Sequence, residues 1–219
     1  MKLLKLSLAA ALAVTLVHAE ESSDLSISAN VAAVSNYVWR GMTQTNDSPA
    51  IQGGFDLGYK GFYAGVWGSN VDFGATSTTS MEADIYVGYS AEMGAFSYDI
   101  GAIEYMYPNE AEGDNFAEAY LGLGYDLGVV SLGAKYSLGM KTNQLDATDE
   151  WEVSVSAPLP AEVTFDATYG AYDTYGSFYS AGLSRSYGKF SLSVAYTGFQ
   201  ADAADSDQNN FVASISTEF

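Results

Sequence analysis

Apolar and polar residues alternate along most of this 219-residue chain, from residue 25 to the final residue. The last nine residues show the pattern most simply: one parity carries Phe211, Ile215 and Phe219, while the other is mostly polar. A period of two predicts a β-strand with one apolar and one polar face. Twelve alternating segments of this kind follow one another, which predicts an all-β protein.

The connections between these segments alternate in length. Long polar stretches such as GMTQTNDSP and GMKTNQLDATD follow the odd-numbered segments. Short turns follow the even-numbered ones: Lys60-Gly61, Met93-Gly94, Leu127-Gly128, residues 158–160 and Tyr187-Gly188. Outer-membrane barrels have short periplasmic turns and long extracellular loops. The sequence therefore predicts a transmembrane up-and-down antiparallel β-barrel of twelve strands in the outer membrane of a Gram-negative bacterium, and a soluble β-sandwich is the weaker alternative.

Closure of the sheet follows from the solvent, because hydrocarbon offers no hydrogen-bond partner to an open strand edge. We therefore expect the last strand to pair with the first. The final residue, Phe219, resembles the C-terminal aromatic signature by which the barrel-assembly machinery recognises its clients, so this machinery and outer-membrane lipid are expected partners. Aromatic residues near the strand ends should form girdles at the two membrane interfaces; this set includes Tyr37, Trp39, Tyr59, Tyr125, Trp151 and Tyr169.

The N-terminus has the form of a secretory signal, with Lys2 and Lys5 before a short apolar run and small residues before a cleavage point. We expect cleavage after Ala19, which leaves the barrel as residues 20–219. The full chain has 8 basic and 27 acidic residues, and loss of the signal leaves 6 basic ones. Such an acidic protein is a poor partner for nucleic acid.

The polar parity should face the lumen. The candidate lumen-lining residues are Asn36, Arg40, Gln52, Asp56, Glu82, Asp84, Asp99, Glu118, Lys135, Glu152 and Asp166. Most of them are acidic, so Arg40 and Lys135 are expected to form salt bridges with their neighbours more readily than to bind substrate. The remaining acidic excess predicts a preference for cations in the bore.

Short turns also predict partners across each hairpin. Tyr120 should face Lys135, and Gly88 should face Asp99. If the Lys60-Gly61 turn is tight, Tyr63 and Trp67 point inward over glycines and narrow the barrel. A bulge in the third strand would point them outward instead, and the sequence leaves both arrangements open.

The side chains present in the sequence limit the catalytic mechanisms that are possible. The chain has no cysteine, and its single histidine, His18, lies in the predicted signal. Nucleophile–histidine pairs are therefore excluded from the mature protein, and we predict no catalytic residues, no cofactor and no enzymatic activity. Only oxygen-ligated cations would suit as metals, and the acidic loops NEAEGD and DAADSD could bind Ca²⁺ weakly, although such runs are more often solvated.

The stretch SNYVWRGMTQTNDSPAIQGGFDLGYKGFYAGVWGSNVDFG resembles the opening of the TorF-type porin family, proteobacterial outer-membrane proteins first catalogued as conserved hypotheticals. The residues that carry the resemblance are Ser35-Asn36-Tyr37, Arg40-Gly41, Thr43-Gln44-Thr45, residues 49–54, Tyr63-Ala64-Gly65 and residues 67–73. The stretch YVGYSAEMGAFSYDIGAIEYMYP continues it, and the resemblance runs to the C-terminus. It implies a porin-like barrel and little about the solute.

Two functions fit these observations. The leading hypothesis is an outer-membrane channel for passive diffusion of small hydrophilic solutes or cations, with a preference for cations. The alternative is a structural or surface-interaction barrel whose lumen is plugged. Barrels of about 8 strands are filled by side chains and those of about 16 to 18 hold a water-filled channel, so twelve strands favour neither.

Overall fold

Twelve antiparallel strands form a closed barrel in the computed structural model, which describes residues 25–108, 115–140, 147–203 and 206–219. The barrel strands are β1 (Leu25–Val34), β4 (Ala50–Tyr59), β5 (Phe62–Asn70), β6 (Met81–Met93), β7 (Phe96–Met106), β8 (Phe116–Asp126), β9 (Ser131–Met140), β10 (Glu150–Leu159), β11 (Val163–Tyr172), β12 (Gly176–Tyr187), β13 (Phe190–Ala201) and β14 (Gln208–Glu218). Two short strands, β2 (Val38–Trp39) and β3 (Met42–Thr43), form a separate hairpin.

Pairing of β14 with β1 closes the barrel, as the sequence predicts. The register places Asn30 opposite Glu218 and Val34 opposite Ser214. The backbone N–H of Phe219 donates to the carbonyl of Ala29 at 2.9 Å, so the final residue still belongs to the sheet. The apolar C-terminus is explained by this pairing.

The outer face of the barrel is apolar. Ile27, Phe55 and Phe211 expose 69%, 65% and 82% of their surfaces. Exposed apolar area on this scale is unfavourable in water, at roughly 25 cal/mol per Å², but it matches a hydrocarbon environment. The alternating pattern thus places its apolar parity towards lipid. No helix in the described ranges is long and apolar enough to cross a membrane.

The turns differ in detail from the predicted ones. Gly94 and Ala95 form the turn after β6, and residues 127–130 connect β8 to β9. The predicted partners are therefore wrong: Asp99 pairs with Ser90, Tyr120 pairs with Ser137, and Lys135 pairs with Gly122. Each error is a shift of two residues, which changes the partner but leaves every side chain on its predicted face.

The third alternating segment, β5, resolves the choice that the sequence left open. Tyr63 is 3% exposed and points inward opposite Gly58, while Trp67 lies opposite Gly54. Phe62 and Val66, on the other parity, are exposed on the outside. The tight turn makes this possible, since Lys60 and Gly61 both adopt positive φ angles of 50° and 87°, the conformation of a type I′ hairpin turn.

The first strand ends earlier than the sequence predicts. β1 stops at Val34, and residues 35–49, which we call the inner segment, fold into the barrel at the end that carries the long loops. Tyr37 and Val38 are 5% and 3% exposed and pack inside the barrel. The placement of Tyr37 and Trp39 in a lipid-facing girdle is therefore wrong, because the interior beside the inner segment is itself apolar.

Candidate solute site in the barrel lumen

The inner segment is built around the hairpin of β2 and β3. Arg40 and Gly41 form its two-residue turn, with φ angles of 47° and 78°. Positive φ at both positions is the type I′ geometry that tight hairpins favour. Gly41 lies against the backbone carbonyl of Gly198, where a Cβ would overlap that oxygen. The hairpin therefore sits directly on β13 and presents Arg40 at its tip.

Several hydrogen bonds fix the inner segment to the barrel wall. The Asn36 side-chain amide donates to Asn210 of β14 at 3.2 Å, and within the segment it donates to Asp47 at 2.9 Å. The Tyr37 hydroxyl donates to Glu82 of β6 at 2.7 Å. The Thr43 amide donates to the side-chain oxygen of Gln208 at 2.8 Å. The segment is thus tied to two separate parts of the barrel wall, β6 and β14.

Arg40 forms a bidentate ion pair in the lumen. Its two terminal nitrogens donate to the two carboxylate oxygens of Glu118 at 2.7 and 2.8 Å, and one of them lies 3.4 Å from Glu150. This is the bidentate geometry that makes arginine–carboxylate pairs strong. Burial of the guanidinium opposes its charge, but the charge and hydrogen bond of Glu118, with smaller effects of Tyr105 and Glu150, together outweigh burial, so the pKa of Arg40 is raised above its usual range.

Aromatic rings enclose the same guanidinium. Its central carbon lies 4.2 Å from the centre of the Trp39 ring and 4.7 Å from that of Tyr172. Trp39 also packs edge-on against Tyr105, which stacks on Phe116 with ring centres 4.5 Å apart. We call Arg40, Trp39, Tyr172, Glu118 and Glu150 the Arg40 cluster.

Lys135 extends the cluster along the wall. Its ammonium lies 3.3 Å from Glu152 and 4.0 Å from Glu150. The Ser137 hydroxyl donates to Glu150 at 3.0 Å. Arg40 and Lys135 are thus both in ion pairs with lumen acids, as the sequence analysis expected.

A second polar network lies nearer the short turns. The Tyr63 hydroxyl donates to Asp99 at 2.6 Å and contacts the Tyr120 hydroxyl at 2.5 Å. The Tyr86 hydroxyl donates to Asp56 at 2.5 Å. Glycines opposite these rings make room for them, since a Cβ at Gly65 or Gly88 would overlap the ring of Tyr86 or the hydroxyl of Tyr63.

Glu82 and Asp84 form a third group, on β6. Both residues are buried, with 2% and 1% of their surfaces exposed. Glu82 accepts a hydrogen bond from the Tyr37 hydroxyl. Burial of the phenol and the neighbouring Glu82 carboxylate both raise the pKa of Tyr37. Neither carboxyl oxygen of Asp84 has a hydrogen-bond partner among the described residues.

A cavity of about 1250 Å³ occupies the lumen. It extends from Lys189 and Phe219 at the short-turn end to Tyr37 and Arg40 of the inner segment. Nine of the eleven candidate lumen residues line it: Asn36, Arg40, Gln52, Asp56, Asp99, Glu118, Lys135, Glu152 and Asp166. The other two, Glu82 and Asp84, are buried in contact with or beside the inner segment rather than along the cavity. Asn36 and Arg40 reach it from that segment, not from the strand that the sequence predicted.

Sequence reasoning missed several residues of this site. Glu150 begins β10, Tyr172 ends β11 and Tyr105 lies next to the end of β7, and none of the three is among the candidate lumen residues. All three continue the inward parity of their strands, so extending each alternating segment by a few residues would have found them. In the described ranges, no group of three acidic, histidine or cysteine side chains is arranged to hold a metal ion. The loop NEAEGD and part of DAADSD lie outside those ranges.

A family model described as "Bacterial protein of unknown function (Gcw_chp)" matches residues 18–218. The chain belongs to this family. No curated protein matches it. The match covers the inner segment and every strand of the barrel. This match does not test the resemblance to the TorF-type family, which stays a prediction from the sequence.

Solved structures share the architecture. The chain is similar to a KdgM porin, with a TM-score of 0.62 and 11% identity over 88% of this chain and 99% of that one. It is also similar to outer membrane phospholipase A from Escherichia coli, with a TM-score of 0.54 and 9% identity over 87% and 92%. Identities this low describe the fold alone. The closed barrel with its apolar exterior is that of an outer-membrane protein of Gram-negative bacteria, and this fold carries both porins and an enzyme.

Proposed function

We propose that this protein is an outer-membrane channel for small hydrophilic solutes, with its narrowest point at the Arg40 cluster. The observation that supports this proposal is a cavity of about 1250 Å³, lined in part by charged and hydroxyl side chains, inside a barrel whose outer face is apolar. Such a cavity has no role in stabilising the barrel against lipid. The proposal includes outer-membrane lipid and, through the C-terminal strand, the barrel-assembly machinery as partners.

We further propose that the channel prefers cations. Seven acidic side chains and four basic ones among the described residues line the cavity. Charges in a narrow bore are weakly screened, so an excess of one sign favours the counter-ion. A related KdgM structure is described as a complex with oligogalacturonate, which is a polyanion. The acidic lining of this cavity argues against oligogalacturonate as a solute of this protein.

A plugged barrel is the second candidate, and one observation favours it. The lining of the cavity ends at the inner segment, and the residues 44–49 beyond Arg40 do not contribute to it. In this alternative the lumen is a cup that opens at the short-turn end, and the long acidic loops would perform the function.

Conductance in a planar bilayer distinguishes the two candidates. We expect the full-length mature protein to show single-channel currents, and a reversal potential under a KCl gradient that indicates cation preference. Glu152→Gln with Asp166→Asn should move that potential towards zero, since both side chains line the cavity. Absence of current from correctly folded protein would refute the channel and favour the plugged barrel.

We also propose that the protein is not an enzyme, although the fold includes a phospholipase. The sole histidine, His18, lies in the predicted signal, and the chain has no cysteine. Serine–histidine and cysteine–histidine mechanisms therefore have no base in the mature protein. Phospholipid incubated with the purified barrel should yield no more free fatty acid than a heat-inactivated control.

A further inference from the structure

We infer that the barrel wall around Arg40 is a binding site for solutes that carry a guanidinium group, and that Arg40 occupies this site in their absence. The inference rests on the proposed channel function, because it names the class of solute that the lumen admits. It also assigns the Arg40 cluster a role beyond that of a static constriction.

The wall supplies this site without help from the inner segment. Glu118 projects from β8, Glu150 from β10 and Tyr172 from β11, and all three face the same point in the lumen. Together they provide a carboxylate that binds both edges of a planar fork, a second carboxylate at 3.4 Å and a ring face at 4.7 Å. These are the elements by which proteins recognise a guanidinium ion.

Charge couples the occupant to the position of the inner segment. The side chains of Glu118 and Glu150 are 2% and 0% exposed. In the described part of the chain, Lys135 lies within 4.0 Å of Glu150, whereas Arg40 is the only base in a salt bridge with Glu118. Withdrawal of Arg40 would leave a buried carboxylate without a counter-charge, which is strongly unfavourable. The segment is therefore expected to leave only when another cation takes its place.

The backbone at Arg40 supports a role for this particular side chain. Its φ of 47° lies in the left-handed region, which Gly, Asn and Asp adopt far more readily than arginine. A tight hairpin alone would be better served by one of those residues. Lys60 adopts the same region, with a φ of 50°, at an exposed turn, so the conformation is distinctive at Arg40 only together with the buried ion pair to Glu118.

The geometry also sets the selectivity. Glu118 receives two parallel N–H donors, an arrangement that a planar guanidinium supplies and a rounded ammonium does not. We therefore expect guanidinium solutes to bind more tightly than alkylammonium solutes of the same size.

The test is calorimetric titration of methylguanidinium chloride into the folded mature barrel in detergent. Arg40→Ala should bind methylguanidinium saturably and at least tenfold more tightly than the wild type, whose own Arg40 competes from the same chain. Methylammonium should bind Arg40→Ala more weakly. Adding Glu118→Gln to Arg40→Ala should abolish binding. Lys60→Ala, which removes an exposed base at a short turn outside the cavity lining, should behave as the wild type.

Equal affinities for the wild type and Arg40→Ala, or binding that survives Glu118→Gln, would overturn the inference. If Arg40→Ala does not fold, as judged by heat-modifiable migration, Arg40→Lys replaces it. That variant keeps the charge without the fork, and should bind methylguanidinium more tightly than the wild type does; equal affinity would again overturn the inference. Binding without any bilayer current would keep the site and refute the channel, whereas current without binding would refute the site alone.

Discussion

Replacing Arg40 with alanine should destabilise the barrel strongly. The change leaves Glu118, whose side chain is 2% exposed, without its bidentate partner. Removing one member of a buried ion pair costs about 3–5 kcal/mol. Loss of the contacts with the Trp39 and Tyr172 rings adds about 0.5–2 kcal/mol. Lys135 supplies a counter-charge to Glu150 but not to Glu118. We therefore expect a loss of at least about 3 kcal/mol in the free energy of unfolding.

Urea unfolding in lipid vesicles, followed by tryptophan fluorescence, measures this loss. The double variant Arg40→Ala with Glu118→Gln completes a mutant cycle, and its coupling energy should be on the order of 3 kcal/mol because the two side chains form one ion pair. Arg185→Ala is the matched control. Its partner Glu162 is 3.9 Å away and both side chains are exposed, so the loss should stay below about 1 kcal/mol.

Unfolding of Arg40→Ala at the same urea concentration as Arg185→Ala would contradict this prediction. Absence of coupling in the cycle would also contradict it, because the two effects would then be independent. Either result would mean that water solvates Glu118 once Arg40 is removed.

Three further predictions concern the barrel itself. Ile215→Asp, on the lipid face of the last strand, should prevent accumulation of heat-modifiable protein in the outer membrane, whereas Ser214→Asp on the inner face should assemble; normal assembly of both would contradict the assigned faces. A cysteine at Asp202 should react with an impermeant thiol reagent on intact cells, and one at Lys60 should not; the reverse would show inverted topology. Gly88→Ala should lower the urea midpoint by an amount equivalent to about 1–3 kcal/mol, since its Cβ would overlap a tyrosine hydroxyl, and an unchanged midpoint would exclude that packing.

The faces of the strands could be predicted from the sequence because they depend only on parity. A turn displaced by one residue, as at Gly94, shifts each partner by two and leaves parity intact, so Asp99 points inward although its partner was mispredicted. The closing pair of strands could be predicted for a similar reason: an even number of strands and a lipid exterior leave one solution. Both properties are set locally or by the solvent.

The inner segment could not be predicted in the same way. The alternation of Tyr37 and Trp39 continues that of β1, and an apolar neighbour inside the lumen produces the same pattern as lipid outside. The partners of Arg40 are also distant in sequence, since Glu118 and Glu150 lie 78 and 110 residues away. No local pattern carries that information. The salt bridges of Arg40 and Lys135 were expected, but their partners required the closed barrel.

The inner segment has a consequence for the order in which the protein is made. Directly after β1, the Ser35 amide donates to the Ala213 carbonyl at 2.9 Å, and the Ala213 amide donates to the Ser35 hydroxyl at the same distance. With the contacts to Asn210 and Gln208, the segment bridges the junction between the first strand and the last. These contacts form only after the C-terminus has emerged and β14 has reached β1, which makes them among the latest events of folding. The segment that lines one end of the lumen therefore also connects the first strand to the last, so mutations that remove its contacts with β14 should weaken the closure of the barrel.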